Sequence, residues 1–228
     1  MLFSPALLNE VRSKFAHVDS CPFTGERIFF ENAGGALTLK SVVKTTTTFA
    51  AIPDNQGRDN PASKELVRII DKARSDARIL LNPPEGQIVF GESGTEMLFR
   101  MIRNAATGSQ SGGAIISSTL EHPASRSAAS HWAELTGREH ILVPHDDAKG
   151  TITADAYRSA LRPDLRVATI IHTSPVTGMS VDVASIAAEI RQVAPECLII
   201  VDGIQHAAHG HIDIHSYGID GYAISPYK

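Results

Sequence analysis

The chain has few of the features that mark disulfide-rich, membrane-spanning or nucleic-acid-binding proteins. Its 228 residues include only two cysteines, Cys21 and Cys197, which lie far apart and suggest neither a disulfide framework nor a thiolate zinc site. No apolar run approaches the roughly 20 residues of a membrane helix. A formal net charge of −4 disfavours a general surface for nucleic acid or anionic membranes. The N-terminus has no basic lead and an early Glu10, so no signal peptide is expected, and the cytoplasm is the expected location.

Short apolar runs alternate with helical patterns along most of the chain. An amphipathic helix is predicted over residues 5–18, and a longer one over residues 62–81. Strands are predicted over residues 27–31, 87–90, 113–117, 141–144, 167–172, 198–202 and 222–225. Further helices are predicted over residues 95–106, 125–136, 153–161 and 183–194. Several strands are apolar at successive positions, which predicts an α/β fold with a mostly parallel sheet covered on both faces.

The residues that follow each strand are the candidates for chemistry, because ligands of such sheets bind beyond the carboxyl ends of the strands. Asp202 ends the apolar run Leu198-Ile199-Ile200-Val201. Burying its carboxylate is costly unless a cation or several donors pair with it. Asp202 is therefore either a helix cap or the partner of a protonated pyridine. Lys228 follows the last strand and is either an ordinary solvated lysine or a desolvated, nucleophilic amine.

Two other strand ends carry polar groups. The segment Gly91-Glu92-Ser93-Gly94-Thr95-Glu96 enters a helix. It is either a capping box or a phosphate cradle made of bare amides and small hydroxyl residues. His122 follows a second strand, where it is either a hydrogen-bonded structural residue or a ring that stacks on a flat cofactor and moves protons near neutral pH.

Four histidines lie close together near the end of the chain and superficially resemble a metal site; they are His206, His209, His211 and His215. Gly210 and the run Ile212-Asp213-Ile214 indicate a loop followed by a short extended or turn segment. Such a segment lacks the helical spacing that directs two imidazoles to one ion. No metal site is predicted, and a metal-binding hydrolytic protein is kept as an alternative function.

An acid and an amine at neighbouring strand ends are the pair that pyridoxal 5'-phosphate (PLP) requires. The carboxylate keeps the ring nitrogen protonated, and the amine holds the aldehyde as an imine. The run Val201-Asp202-Gly203-Ile204-Gln205-His206, followed by Ser225-Pro226-Tyr227-Lys228, resembles the class V aminotransferases, the branch of fold-type I PLP enzymes that contains the cysteine desulfurases. The resemblance implies a three-layer α/β/α large domain over residues 31–228, preceded by an N-terminal helical segment over residues 1–30.

Carried over residue by residue, the resemblance assigns a role to each candidate. Lys228 matches the lysine that holds the cofactor's aldehyde, and Asp202 matches the partner of the ring nitrogen. Gln205 is similar to the ligand of the phenolic oxygen, and His122 to the ring that stacks on the pyridine. The resemblance thus implies that the catalytic residues are Lys228, His122 and Asp202, and that Gly94, Thr95, Ser225, Tyr227 and Gln205 join them in binding the cofactor.

Three features depart from the family pattern. Tyr227 stands where cysteine desulfurases usually have His, although its hydroxyl can still donate to phosphate. Pro175 stands where many relatives have Asn, so that contact is lost or is taken by Ser174 or Thr177. The sequence stops at Lys228, whereas relatives continue with more of the large domain, a small C-terminal domain, an arginine for the substrate carboxylate and the mobile cysteine of desulfurases. We expect that C-terminal part to be missing from this sequence.

The resemblance implies a PLP-dependent transferase that acts on a small amino acid through an external aldimine. It further implies desulfurase-like or aminotransferase chemistry in a homodimer. Neither cysteine is predicted to be the sulfur nucleophile. The alternatives are the histidine-cluster metal protein and a non-catalytic remnant that keeps the fold without turnover.

Overall fold

The computed structural model describes residues 3–53 and 56–228 of the chain. These residues form two compact units. The larger unit comprises Ala77–Pro226, and the smaller comprises Met1–Asp76 together with Tyr227–Lys228. The division of the chain at residue 30 stays a prediction.

The smaller unit contains helices and one short antiparallel pair of strands. Helix α1 covers Pro5–Ser13, strands β1 and β2 cover Ser20–Cys21 and Gly25–Glu26, helix α2 covers Lys40–Ala50, and helix α3 covers Pro61–Leu81 and continues into the larger unit. The helix predicted over residues 5–18 is too long. Helix α1 ends at Ser13, and His17 has a left-handed backbone conformation (φ 53°) that does not fit a right-handed helix. The strand predicted over residues 27–31 is wrong: Ile28 and Phe30 are 83% and 91% exposed and pair with no strand in the part of the chain that the structure describes.

The larger unit is built on a five-stranded parallel sheet. The strands are β3 (Ala114–Ser118), β4 (Glu139–Val143), β5 (Leu165–Ile171), β6 (Leu198–Asp202) and β7 (Gly221–Ala223), in the spatial order β4-β3-β5-β6-β7. The helices are α4 (Gly94–Gly108), α5 (Pro123–Leu135), α6 (Ala154–Arg158), α7 (Val183–Val193) and the short α8 (Ile214–Tyr217). Each predicted strand from residue 113 onward is confirmed within three residues of its bounds, as are the helices α4, α5, α6 and α7.

Both faces of this sheet are buried under helices. Successive strand residues alternate between two hydrophobic clusters, so that Ile115 and Ile200 join one cluster while Ile116 and Ile199 join the other. The first cluster includes the apolar faces of α4 and α5, and the second includes those of α6 and α7. The expected three-layer α/β/α architecture is therefore confirmed.

One predicted strand of the larger unit is wrong. Residues 87–90 form no strand: they make no ladder with any described strand, and Val89 and Phe90 are 59% and 51% exposed. The run Ile212-Asp213-Ile214, expected to be a short extended or turn segment after a loop, leads into α8, which begins at Ile214. An apolar run shows that a segment is compatible with a sheet, but it does not supply the neighbouring strand.

Replacing a central sheet residue tests the layered core. Ile116→Ala removes a fully buried side chain and should lower the free energy of unfolding by about 2–5 kcal/mol. Leu142→Ala on the adjacent strand is the control, because Leu142 is 46% exposed and should cost less than about 1 kcal/mol. Chemical denaturation measures both values, and equal losses would contradict this assignment of the core.

Candidate active site

The five parallel strands end at one edge of the sheet, and four predicted site residues follow these ends: His122, Asp202, Gln205 and Ser225. Asp202, the last residue of β6, is in register with Ile171 at the end of β5 and with Ala223 at the end of β7. Ser225 follows two residues after Ala223. The topology thus brings Asp202 and Ser225 to the same edge of the sheet.

The Asp202 carboxylate is buried and held in place by hydrogen-bond donors. It is 4% exposed. The Ser125 hydroxyl donates to Oδ2 at 3.2 Å, and the Ile204 amide donates to Oδ1 at 3.1 Å. The Asp202 carbonyl also accepts from the His172 amide at 2.9 Å. The bond to Ile204 is the local, cap-like contact, while the bond from Ser125 fixes the carboxylate from a different helix.

A second group of residues surrounds the start of α4. The Ser225 hydroxyl is 4% exposed and finds no hydrogen-bond partner among the described residues. A Cβ added at Gly94 would lie 2.6 Å from that hydroxyl and 2.2 Å from the Ile204 side chain. Only glycine therefore leaves the first turn of the helix this close to Ser225. An unsatisfied hydroxyl beside the bare amides of a helix N-terminus is a fitting cradle for a phosphate group.

The same helix start also contains the capping contacts considered from the sequence. The Ser93 hydroxyl accepts from the Glu96 amide at 3.1 Å, and the Glu96 carboxylate accepts from the Glu92 amide at 3.1 Å. Thr95 is exposed in the first turn. Capping uses Ser93 and Glu96, so Gly94 and Thr95 stay available for a ligand.

His122 follows the end of β3, and Gln205 follows the end of β6. His122 caps α5, where its Nδ1 accepts from the Ala124 amide at 3.1 Å, and its ring is exposed. Gln205 is buried in the turn that follows Asp202. His122 therefore has the structural role of a helix cap, while its stacking on a cofactor stays a prediction.

Lys228 and Tyr227 belong to the smaller unit. There the Lys228 amine donates to the Ala33 carbonyl, within the turn that leads to Gly34 and Gly35, and the Ala36 amide donates to the Tyr227 carbonyl at 2.9 Å. The Tyr227 side chain is 56% exposed. Within this unit, the predicted lysine and the Gly-rich turn are neighbours.

The turn at Pro175 is held by its own hydroxyl groups. Ser174 accepts from the Val176 and Thr177 amides, both at 3.2 Å, and Thr177 donates to the Gly150 carbonyl at 2.8 Å. Both hydroxyls that were candidates to replace the missing Asn are therefore engaged in fixing local backbone.

Sequence reasoning missed two residues of this edge, Ser125 and Glu121. The sequence predicts only that Ser125 begins a helix, yet Ser125 is fully buried and donates to Asp202. Glu121 is 4% exposed and accepts from the Ile171 amide at 2.8 Å. The only indication in the sequence was that both residues lie close to His122, in the segment that follows the buried strand β3.

Two histidines stack beside the Asp202 turn. The rings of His172 and His206 lie 3.4 Å apart with 9° between their planes. Nδ1 of His172 shares a 2.8 Å hydrogen bond with the Tyr222 hydroxyl, and Nδ1 of His206 shares a 2.9 Å bond with the Thr173 hydroxyl. Burial lowers the pKa of His172 to about 4, and the adjacent His206 lowers it as well. Both rings are thus occupied in packing and hydrogen bonding.

The histidine cluster shows no arrangement suited to a metal. Among residues 3–53 and 56–228, no three His, Cys, Asp or Glu side chains are grouped to hold an ion. His206 Nε2 lies 3.2 Å from the His211 carbonyl, while His209, His211 and His215 are exposed.

No helix in the described part of the chain is both long and apolar enough to cross a bilayer.

The geometry agrees with a family match that covers most of the sequence. Residues 28–228 match the model of the family described as "Aminotransferase class-V", and the chain belongs to this family. Class V aminotransferases depend on PLP, so the expected cofactor is confirmed at the level of the family.

The individual relatives are cysteine desulfurases and similar proteins. The chain is 29% identical to the cysteine desulfurase-like protein ustD of Aspergillus flavus (90% of this chain, 47% of that protein). It is 31% identical to a probable cysteine desulfurase of Xylella fastidiosa (88% and 48%). The crystal structure of the Escherichia coli cysteine desulfurase CsdA matches with a TM-score of 0.81 at 25% identity (100% and 55%). The chain thus spans about half the length of the curated relatives it matches.

The His172 environment predicts a pH dependence of stability. Its folded pKa of about 4 lies below the usual value near 6.5, so the unfolded chain binds more protons between these values. The stabilising contribution of neutral His172 is present above about pH 6.5 and is lost as the pH falls toward 4, with a slope of at most about 1.4 kcal/mol per pH unit.

Replacing the ring should reduce that slope. We expect the unfolding free energy of His172→Gln to fall less steeply than that of the native protein over this pH range, as measured by denaturant titration. His215→Gln, at an exposed position, is the matched control and should keep the native slope. The same slope in the native protein and in His172→Gln would show that His172 is not buried in its neutral form.

Proposed function

We propose that the protein is a PLP-dependent enzyme that acts on a small amino acid. The observation that carries the proposal is the buried Asp202 carboxylate, which lies at the same sheet edge as the unsatisfied Ser225 hydroxyl. The carboxylate suits a protonated ring nitrogen, and the hydroxyl with the α4 N-terminus suits a phosphate. Membership of the class V aminotransferases supports the same assignment.

The residues of the chain divide the binding of the cofactor among them. Gly94, Thr95 and Ser225 would hold the phosphate, because the helix dipole and the hydroxyl both favour an anion there. Asp202 would hold the protonated ring nitrogen, while Gln205 would donate to the phenolic oxygen. Two further contacts are predicted. The His122 ring would stack on the pyridine, and the Tyr227 hydroxyl would donate to the phosphate.

Bound at these residues, PLP supplies an aldehyde that captures amines and a protonated ring that withdraws electrons from the captured substrate. Lys228 would hold the aldehyde through Nζ and yield that place to the substrate amine. Its released amine would then carry a proton to or from the substrate Cα. Asp202 would keep the ring nitrogen charged throughout, because Ser125 and the Ile204 amide hold its carboxylate in one orientation.

We propose an amino acid as the substrate, and we would test L-cysteine first, since the relatives are cysteine desulfurases. Cys197 does not suit the role of sulfur acceptor: it is buried, and burial raises the pKa of its thiol to about 12. A buried neutral thiol is a poor nucleophile. The proposal includes both desulfurase-like and aminotransferase chemistry.

Chemical trapping tests the role of Lys228. Protein supplied with PLP should show a visible absorbance that borohydride bleaches, and peptide mapping should place the reduced cofactor on Lys228. Lys228→Arg keeps the positive charge and is the matched control, which should give no trapped product. A colourless native protein whose Lys228 stays unmodified would overturn the proposal.

A methyl group at Gly94 tests the phosphate cradle. Gly94→Ala places a Cβ against Ser225 and Ile204 and should weaken PLP binding at least about tenfold, or about 1.4 kcal/mol, as measured by fluorescence titration. Gly108→Ala is the matched control, because Gly108 ends the same helix and its added Cβ meets open space. Equal affinities for the two variants would exclude Gly94 from the phosphate site.

A further inference from the structure

Glu121 is a buried acid that the proposed function does not use. It lies after β3 and is 4% exposed. Its Oε1 accepts from the Ile171 amide at 2.8 Å and from the Ser118 hydroxyl at 3.2 Å. Its Oε2 has no hydrogen-bond partner among the described residues. The ion pairs found among these residues do not include Glu121. A charged carboxylate in this position would leave one oxygen unsatisfied.

The groups around Glu121 favour its neutral form. Burial raises the pKa of Glu121 to about 8, and the charge on Asp202 raises it as well, while the Ile171 amide and the Ser118 hydroxyl oppose the shift. On α6, the Tyr157 hydroxyl is fully buried, and burial together with Glu121 raises its own pKa. Asp202 is thus the charged group that acts on Glu121, and Tyr157 faces it as a neutral phenol.

Glu121 and Asp202 both contact the end of the sheet near Ile171 and His172. Ile171, whose amide Glu121 holds, is the register partner of Asp202 in the sheet. Ser125, which lies four residues after Glu121, donates to the Asp202 carboxylate. Water is largely excluded from this region, so charges there interact more strongly than at the surface. A positive charge placed against Asp202 would therefore offset the repulsion that Glu121 experiences.

We propose that Glu121 is a buried proton store for the Asp202 site: it is a neutral acid in the cofactor-free protein and gives up its proton when a cationic ring nitrogen pairs with Asp202. The inference rests on the proposed function, because it requires PLP at Asp202. The proton leaves the Glu121 carboxyl for solvent, and the charge that it leaves behind is balanced by the ring. Glu121 is a positioning residue, since it acts on the cofactor through Asp202 and its neighbours.

Proton release on cofactor binding is the direct readout. Calorimetry of PLP binding in two buffers of different ionisation enthalpy gives the number of protons exchanged. We expect the native protein to release more protons than Glu121→Gln, and its affinity to rise about threefold to tenfold more between neutral pH and pH 8.5. Tyr157→Phe alters the same network without removing a carboxyl group and is the matched control, which should behave as the native protein does.

A measurement on the unaltered protein guards against a variant that does not fold. With ¹³C-labelled glutamate carboxyls, NMR should show one glutamate that titrates near pH 8 without PLP and at lower pH with it. If every glutamate titrates in the usual range near pH 4, the inference is overturned. If PLP binds with equal proton release in the native protein and in Glu121→Gln, the inference alone fails. If PLP does not bind to the native protein, the proposed function fails and the inference fails with it.

Discussion

A carboxylate at the end of a buried parallel strand is the constraint on which this site depends. Asp202 cannot be removed from water at low cost unless donors hold it, and the fold supplies these from a helix start and from the turn that follows. The strand places Asp202 between its register partners Ile171 and Ala223. The rest of the edge is arranged around this fixed charge.

The proposed anion and cation sites of this edge have different physical origins. At Asp202, a side-chain charge would attract a cation. At Gly94, the backbone amides of a helix start and the Ser225 hydroxyl would attract an anion, and the absence of a side chain allows the two to approach. A ligand with a basic ring at one end and a phosphate at the other satisfies both sites. PLP has this distribution of charge.

Much of the fold could be predicted from the sequence because strands covered on both faces are apolar at successive positions. Leu198–Asp202 is the clearest case, since four apolar residues precede the acid. Position after a strand also made Asp202 a candidate, because parallel strands deliver their ends to one edge, whereas Ser225 was a candidate only through the family resemblance. The segment at residues 87–90 shows the limit of this reasoning, since a strand requires a neighbour that an apolar pattern does not provide.

The supporting residues of the site could not be predicted in the same way. Ser125 contacts Asp202 across 77 residues of sequence, and Glu121 contacts the Ile171 amide across 50. No local pattern encodes such contacts, which exist only after the helices cover the sheet. His122 illustrates a different difficulty, because a helix cap and a stacking ring are compatible with the same sequence.

The protonation state of the bound ring tests the account most directly. The ¹⁵N chemical shift of the ring nitrogen in labelled PLP reports whether that nitrogen carries a proton. We predict a protonated nitrogen in the native protein at neutral and mildly alkaline pH, and an unprotonated one in Asp202→Ala. An unprotonated nitrogen in the native protein, or the same shift in both proteins, would contradict the role assigned to Asp202.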